Sequence, residues 1–380
     1  MDDEPSLLIK PVSADCNMQC RYCFYRRPGD PYRSEEHHIM ADLTLKTMIS
    51  GYMKSARTGA SFGWQGGEPL LAGIDFFERV VAYQQSYGRS AQLVSNNLQT
   101  NGLLLDDDWA KFFHRYNFFI GVSLDGPEEY HDHYRYSANR NSGFQQTMNG
   151  IRTLRNHRVE FSILTVVNDV TAKKPSELYD FFTRNGFDRL QFIPCVEMNM
   201  ETRELQDYSV RVEDYRDFLC TLFDVWYNQG RPVASIRLFE NILAVYMGME
   251  PEICAFKNRC GSYVVVEYNG DVYPCDFFVE KPWVLGNLLE TSLHDLMKKR
   301  KRREFNSRKM EPSSDCKTCE WNFICHFGCQ HYRTAAGENY LCAAYREFFR
   351  YTARRFAALS EKLGKTHEVL LSAKNVLSLP

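Results

Sequence analysis

The residues best suited to chemistry in this chain are two groups of cysteines. Cys16-Asn17-Met18-Gln19-Cys20-Arg21-Tyr22-Cys23 spaces three thiols as CX3CX2C on one short stretch. Three thiolates on one loop can hold three irons of a 4Fe-4S cube, which normally takes four Cys, and so leave one iron open to a small-molecule ligand. The rival reading is a Zn site completed by a distant His, although Zn loops more often show paired CX2C spacing. Eight further Cys crowd between Cys254 and Cys342. Cys254, Cys260 and Cys275 form a loose trio, Cys316, Cys319, Cys325 and Cys329 run as CX2CX5CX3C, and Cys342 comes last. Eight ligands make two sets of four, which suit two further clusters or, equally on spacing, two structural Zn sites. Of the 13 Cys only Cys195 and Cys220 fall outside these groups. Cys220 lies in an apolar helical stretch and reads as a plain core residue.

These thiols need a scaffold, and the residues between them alternate in type. Short β-branched or aromatic runs at Leu7 to Val12, Phe62 to Gln65, Gln92 to Gln99, Phe119 to Leu124, Phe161 to Val167 and Leu190 to Pro194 read as strands. The stretches at Leu43 to Ser55, Ile74 to Tyr87, Asp107 to Tyr116, Phe144 to Asn156 and Pro175 to Asn185 carry apolar residues at helical spacing. Six strand–helix units predict an α/β fold with a parallel sheet and right-handed crossovers, an incomplete (β/α)6 TIM-like barrel. Two helical stretches follow, Val212 to Asn228 and Ile236 to Met249, and then the Cys-rich segment. There Asn269-Gly270 between Tyr263 to Tyr268 and Asp271 to Tyr273 predicts a type I′ hairpin. The expected division is a barrel over 1–234, a Cys-rich domain over 235–350 and a polar helical tail over 351–380.

Polar motifs fall where such a scaffold builds sites, at the C-terminal ends of the strands. Gln65-Gly66-Gly67-Glu68-Pro69 follows the second strand, Gln99-Thr100-Asn101-Gly102 the third, Ser123-Leu124-Asp125-Gly126 the fourth and Cys195-Val196 the sixth. Paired glycines would let backbone approach a ligand closely. The charge balance, 46 Lys+Arg against 48 Asp+Glu, argues against a dedicated nucleic-acid binder. The acidic start MDDEPSLLIK is no signal peptide, and no apolar run is long enough to span a bilayer. The expected address is the cytoplasm, a reducing compartment in which clustered Cys bind metal or do redox work rather than form disulfides.

CX3CX2C with Tyr22 before its last Cys resembles the radical S-adenosylmethionine (SAM) superfamily. That resemblance implies a 4Fe-4S cluster on Cys16, Cys20 and Cys23 whose open iron chelates SAM and, when reduced, cleaves it to a deoxyadenosyl radical. It also implies that Gly67 and Glu68 meet the SAM amino group and that Ser123, Arg135 and Val196 line the SAM site. The bland alternative for Arg135 is a solvated loop cation. The C-terminal Cys resemble the SPASM domain, which implies one auxiliary cluster on Cys254, Cys260, Cys275 and Cys329 and a second on Cys316, Cys319, Cys325 and Cys342, three [4Fe-4S] clusters in all.

Within that group, SLLIKP, CRYCFY, QGGEP, QTNG, SLDGP and YPCDFF resemble the anaerobic sulfatase-maturating enzymes, from about Ser6 to Tyr351. The implied reaction is oxidation of Cys or Ser in a sulfatase segment, ahead of X-Pro-X-Arg, to Cα-formylglycine. The resemblance makes Asp276 the general base, taking the thiol or hydroxyl proton while the neighbouring cluster takes an electron. The alternative for Asp276 is a hairpin cap. Two rival functions stand beside this one. A SPASM enzyme could install a thioether, epimer or crosslink on a ribosomal peptide, and a non-enzymatic scaffold could bind zinc. Lys298 to Arg303 reads as a solvated helix end, or as a docking patch for an acidic flavodoxin or ferredoxin donor. His37-His38 and His131/His133 have flanks that read as polar loops.

Overall fold

The computed structural model describes residues 6–26, 31–32, 38–56, 59–137, 141–198, 204–311, 313–334 and 336–377; His37 lies outside them. In chain order the elements are β1 (Ser6–Ile9), α1 (Asp42–Ser55), β2 (Gly59–Trp64), α2 (Ile74–Tyr87), β3 (Leu93–Thr100), α3 (Asp107–Arg115), β4 (Phe119–Ser123), α4 (Glu128–Tyr134) and α5 (Phe144–Asn156). There follow β5 (Phe161–Val167), α6 (Pro175–Arg184), β6 (Arg189–Pro194), α7 (Val212–Tyr227), β7 (Ser235–Ile236), α8 (Arg237–Tyr246), β8 (Tyr263–Val266), β9 (Asp271–Tyr273) and β10 (Gly286–Asn287). The chain closes with α9 (Leu293–Lys298), α10 (Arg300–Ser307), α11 (Ser314–Lys317), α12 (Asn322–Cys325) and α13 (Cys342–Leu377). The α/β class and the parallel sheet are as the residue pattern predicts. None of the described helices is long and apolar enough to cross a membrane.

The chain divides into two compact units, the first made of Met1–Val166, Glu197–Glu204 and Cys260–Arg308. In it β1, β2, β3, β4 and β5 pair in parallel in sequence order. Their buried positions include the apolar Phe62, Trp64, Leu98, Ile120, Val122 and Ile163, with the polar Asn96, Thr100, Ser123 and Thr165 buried among them. Trp64 meets Phe76 and Phe77 edge-on at 6.0 and 5.4 Å, and Phe77 meets Trp109 at 5.6 Å. Edge-to-face pairs of this kind add about 0.5–1.5 kcal/mol each beyond burial. The start of α3 is fixed by Asp106, whose side chain accepts from Asp108 N and Trp109 N.

The hairpin differs from the type I′ expectation. Among the described residues Asn269 is not at positive φ, whereas Gly270 is, at +91°. Gly270 N donates to Glu267 O and Glu267 N to Asp271 O, so Tyr268, Asn269 and Gly270 form a three-residue loop in which glycine takes the left-handed position. Tyr263, Val264, Val265 and Val266 of β8 pair in parallel with β1, so the hairpin continues the parallel sheet past its first strand.

The second unit comprises Val167–Val196, Leu205–Arg259 and Lys309–Pro380. Its β6 pairs with β7, and α13 packs along α7 and α8. Phe223 anchors the core there, 4.8 Å from Phe356, 5.4 Å from Phe239 and 5.5 Å from Trp226. Cys220, on α7, is half-buried rather than in the core, beside Asp224 and Asp217, and burial followed by those acids pushes its thiol up to about 11.

Candidate functional site

The loop after β1 carries Cys16, Cys20 and Cys23, and the glycine pair after β2 seats it. Gly67 N donates to Ser13 O at 2.8 Å and Glu68 N to Asp15 O at 2.7 Å. A Cβ on Gly67 would lie 1.9 Å from Asp15 O, and one on Gly66, which has φ +124°, 2.6 Å from Ser13 O. The space the glycines leave is therefore filled by the backbone of the cysteine loop. From the other side Gln19 N and Arg21 N donate to Tyr136 O and Tyr134 O.

The three thiols act on one another electrostatically. Burial first, then the Glu68 carboxylate, pushes Cys16 up to about 12. Burial lifts Cys20 to about 11 against the pull of Arg135, and burial raises Cys23 as well. A bound cation reverses this, since a coordinating thiol is deprotonated outright. Among the described residues no three His, Cys, Asp or Glu side chains converge on a single-ion site. A cluster makes no such demand, since each thiolate binds its own iron. The loop thus fits a cluster bound through Cys16, Cys20 and Cys23.

Around the loop lie polar groups from the strand ends. Glu68 is fully buried, and its oxygens accept from Asn101 N at 2.8 Å, Thr100 Oγ1 at 2.9 Å and Leu70 N at 3.1 Å. Burial outweighs these donors and lifts its carboxyl to about 7. After β4, Asp125 Oδ2 accepts from Tyr22 OH and from Arg135 Nε, the latter at 2.9 Å, while Oδ1 takes Val166 N. The Arg135 guanidinium lies 5.4 Å from the Tyr22 ring centroid, with Nη1 3.9 Å from Cys20 Sγ. Arg135 is only 7% exposed, which overturns the reading of it as a solvated loop cation. Ser123 is buried at the end of β4. Val196, buried too, belongs to the second unit.

Asp276 follows Cys275 on a short turn and is nearly buried. Tyr25 OH donates to its Oδ2 at 2.6 Å and receives Gln65 Nε2 at 2.8 Å. Lys10 Nζ stands 3.0 Å from Asp276 Oδ1, 3.0 Å from Glu267 Oε1 and 4.7 Å from the Tyr25 ring centroid. Burial alone would lower Lys10, but the two carboxylates prevail and hold it above its usual range. Lys10 holds Asp276 Oδ1 through this ion pair, and an ionised carboxylate oxygen has a second lone pair with which to accept a proton. Phe24 packs on Phe277 at 4.9 Å, so the residues just after Cys23 bring the Asp276 turn to the cysteine loop.

Sequence reasoning named Asp276 but missed Lys10, Glu267, Tyr25, Gln65 and the role of Asp125. Lys10 and Glu267 each break an apolar run, and a charge in a buried strand is a signal for a paired group. The histidine flanks are not polar loops throughout. His38 is buried between Asp15 and Tyr32 O, and His131 is fully buried with its ring receiving Asp125 N, while His133 is exposed. Desolvation brings His131 down to about 4.

In the second unit Cys325 acts electrostatically with Cys342, Cys316 and Cys319. These are the four thiols assigned to one set by resemblance. Of the other set, Cys260 and Cys275 lie in the first unit, Cys254 and Cys329 in the second. The basic run is divided, with Lys298, Lys299, Arg300 and Arg303 exposed while Lys301 and Arg302 donate to backbone carbonyls.

Comparison with known families agrees with this site. The Radical SAM superfamily profile matches residues 11–182, and the SPASM profile, an iron-sulfur cluster-binding domain, matches residues 254–320. The fold and site thus define a radical SAM protein that binds iron–sulfur clusters and SAM. A cysteine-type anaerobic sulfatase-maturating enzyme of Clostridium perfringens is 36% identical over 94% of this chain and 99% of its own length. A serine-type enzyme of Bacteroides thetaiotaomicron is 36% identical over 91% of this chain and 89% of its own. A solved structure of native anSMEcpe with bound AdoMet and Cp18Cys peptide matches with a TM-score of 0.88 at 36% identity, covering 95% of this chain and 99% of that one. The chain belongs to the anaerobic sulfatase-maturating enzymes.

Proposed function

We propose that this chain oxidises a Cys or Ser side chain in an unfolded sulfatase segment, ahead of X-Pro-X-Arg, to Cα-formylglycine. The observation that carries the reading is Asp276, whose carboxylate is held by Lys10 and by Tyr25, the latter only two residues past Cys23. A proton acceptor is thereby fixed beside the cysteine loop. When bound, the reduced cluster and SAM supply one-electron cleavage of the sulfonium and, with it, abstraction of a substrate hydrogen.

The chain's own residues do the rest. Cys16, Cys20 and Cys23 hold the first cluster. Within the first unit Tyr22, Gly67, Glu68, Ser123 and Arg135 form the SAM site, with the buried Glu68 carboxylate suited to a cationic amino group. Asp276 Oδ1 takes the substrate thiol or hydroxyl proton as an electron passes to a neighbouring cluster, and with Cys the thioaldehyde so formed exchanges its sulfur for the oxygen of water, releasing hydrogen sulfide. Within the second unit Cys316, Cys319, Cys325 and Cys342 hold an auxiliary cluster. A flavodoxin or ferredoxin-type donor supplies the reducing electron, with the exposed part of the Lys298 to Arg303 run as its docking patch.

The test is mass spectrometry of a sulfatase-type peptide containing Cys or Ser before X-Pro-X-Arg, incubated anaerobically with SAM and dithionite. An aldehyde at that residue, with sulfur lost from Cys, is expected. A peptide left unmodified while SAM is cleaved would rule the reading out.

A further inference from the structure

The register of β1 on β8 pairs Ile9 with Val266, and Lys10 N extends it by donating to Val266 O at 2.9 Å. Lys10 and Glu267 therefore leave adjoining parallel strands side by side, where the chain turns towards the cysteine loop. Both are enclosed, Lys10 at 4% exposure and Glu267 at 1%. Lys10 Nζ lies 3.0 Å from Glu267 Oε1, and Ser13 is a further hydrogen-bond partner of that carboxylate. The same ammonium stands 3.0 Å from Asp276 Oδ1. One buried cation thus serves two carboxylates, and only Asp276 has a part in the oxidation proposed above.

Two buried acids on one base carry more negative charge than an ion pair requires, and burying a carboxylate is costly unless its charge is matched. The excess is matched once the reaction is under way. As the substrate S–H or O–H breaks and the proton bonds to Asp276, that carboxylate becomes neutral and ceases to be a counter-ion. With Glu267 beside Lys10 the trio then passes from one net negative charge to none. With Gln in its place the trio would pass from none to one net positive charge, and that unmatched cation, 3.0 Å from the receiving oxygen, opposes the proton's arrival. The Tyr25 ring, 4.7 Å from Nζ, offers a quadrupole and no counter-charge. Burial pushes the Glu267 carboxyl up, Lys10 and Ser13 pull it down, and the Asp276 charge pushes it up again. Neutralising Asp276 therefore favours the Glu267 anion at the moment Lys10 depends on it.

We propose that Glu267 is a positioning residue for the oxidation, which keeps Lys10 paired while Asp276 takes the substrate proton. The proposal rests on the reading of Asp276 as the proton acceptor. Being enclosed, Glu267 acts through Lys10 rather than on the peptide.

The experiment uses the full chain, reconstituted anaerobically with its clusters and given SAM, dithionite and the Cys-containing sulfatase-type peptide, and reads deoxyadenosine and aldehyde in the same samples. Glu267→Gln keeps the shape and removes the charge, whereas Glu267→Asp keeps the charge and shortens the reach. Glu267→Gln should hold its iron and cleave SAM as the parent does. Its kcat for aldehyde should fall by about tenfold or more with the peptide KM unchanged, so that deoxyadenosine outruns aldehyde. Glu267→Asp should retain more aldehyde formation than Glu267→Gln. Near-parental aldehyde from Glu267→Gln, a loss expressed in KM alone, the reverse order of the two variants, or iron lost from Glu267→Gln overturns the role. Failure of the reading beneath it looks different: an Asp276→Asn chain that still makes aldehyde at a near-normal rate removes the acceptor, and the Glu267 role falls with it.

Discussion

The cysteine loop of the first unit and the thiol-rich stretch of the second each come with a buried cation, Arg135 and Lys309, and the two cations are held differently. Arg135 reaches Cys20, but its Nε is committed to Asp125, and Glu68 adds a further carboxylate against Cys16. Lys309 Nζ donates instead to the backbone carbonyls of Cys254 and Ala255, at 3.2 and 2.8 Å. A cation matched to a carboxylate fixes the two side chains against each other, whereas one that donates to carbonyls fixes the backbone it binds. The first arrangement leaves a negative-leaning pocket, fit for a ligand with a cationic amino group. The second ties the Cys254–Phe256 turn to the approach of the CX2CX5CX3C run.

The comparison can be broken first at the thiols. Cys20→Ala should abolish SAM cleavage and aldehyde formation outright while the C-terminal sites keep about eight of about twelve irons, read by iron analysis. Asp276→Asn should keep its clusters and SAM cleavage yet lose aldehyde formation by about 100-fold or more; near-normal product would remove Asp276 from the mechanism.

Two further changes sharpen it. Asp125→Asn leaves Arg135 buried without its counter-charge and should destabilise the fold by about 3–5 kcal/mol in denaturant titration, with weaker SAM binding. Glu68→Gln should act through pH. Burial lifts the Glu68 carboxyl from 4.5 to about 7, so between those values the folded protein holds a proton that the unfolded chain has released. Its contribution is fully present below pH 4.5 and is lost as pH rises through about 7. The SAM-free Glu68→Gln protein should therefore gain on the wild type from pH 5 to pH 8, by about 3 kcal/mol at most, measured as paired unfolding free energies.

Much of this was legible in the residues. The strand Phe161–Val167 and the helices Ile74–Tyr87 and Phe144–Asn156 have the bounds that their periodicity predicts, because apolar spacing alone decides them. Strand β1 stops at Ile9 rather than Val12, since the chain turns after Lys10 into the cysteine loop. The cysteine spacing and the strand-end motifs signalled the chemistry. The partners did not show, because pairing across the sheet has no local signature. Lys10 meets Glu267 and Asp276 only through the register of β1 on β8, and Arg135 is buried by the Asp125 that ends another strand's motif. The Asn269-Gly270 pair marked a hairpin but not its loop length, which the backbone bonds of Glu267 decide.

The pairing of β1 with β8 ties together residues that leave the ribosome some 250 positions apart. Until Tyr263–Val266 has been synthesised, the opening strand has a bare flank, a template on which stray chains can pair. Long-range closure of this kind slows folding. That pairing also delivers Glu267 and Asp276 to Lys10, so a chain interrupted before it would possess its sulfur loop and lack both carboxylates that Lys10 meets.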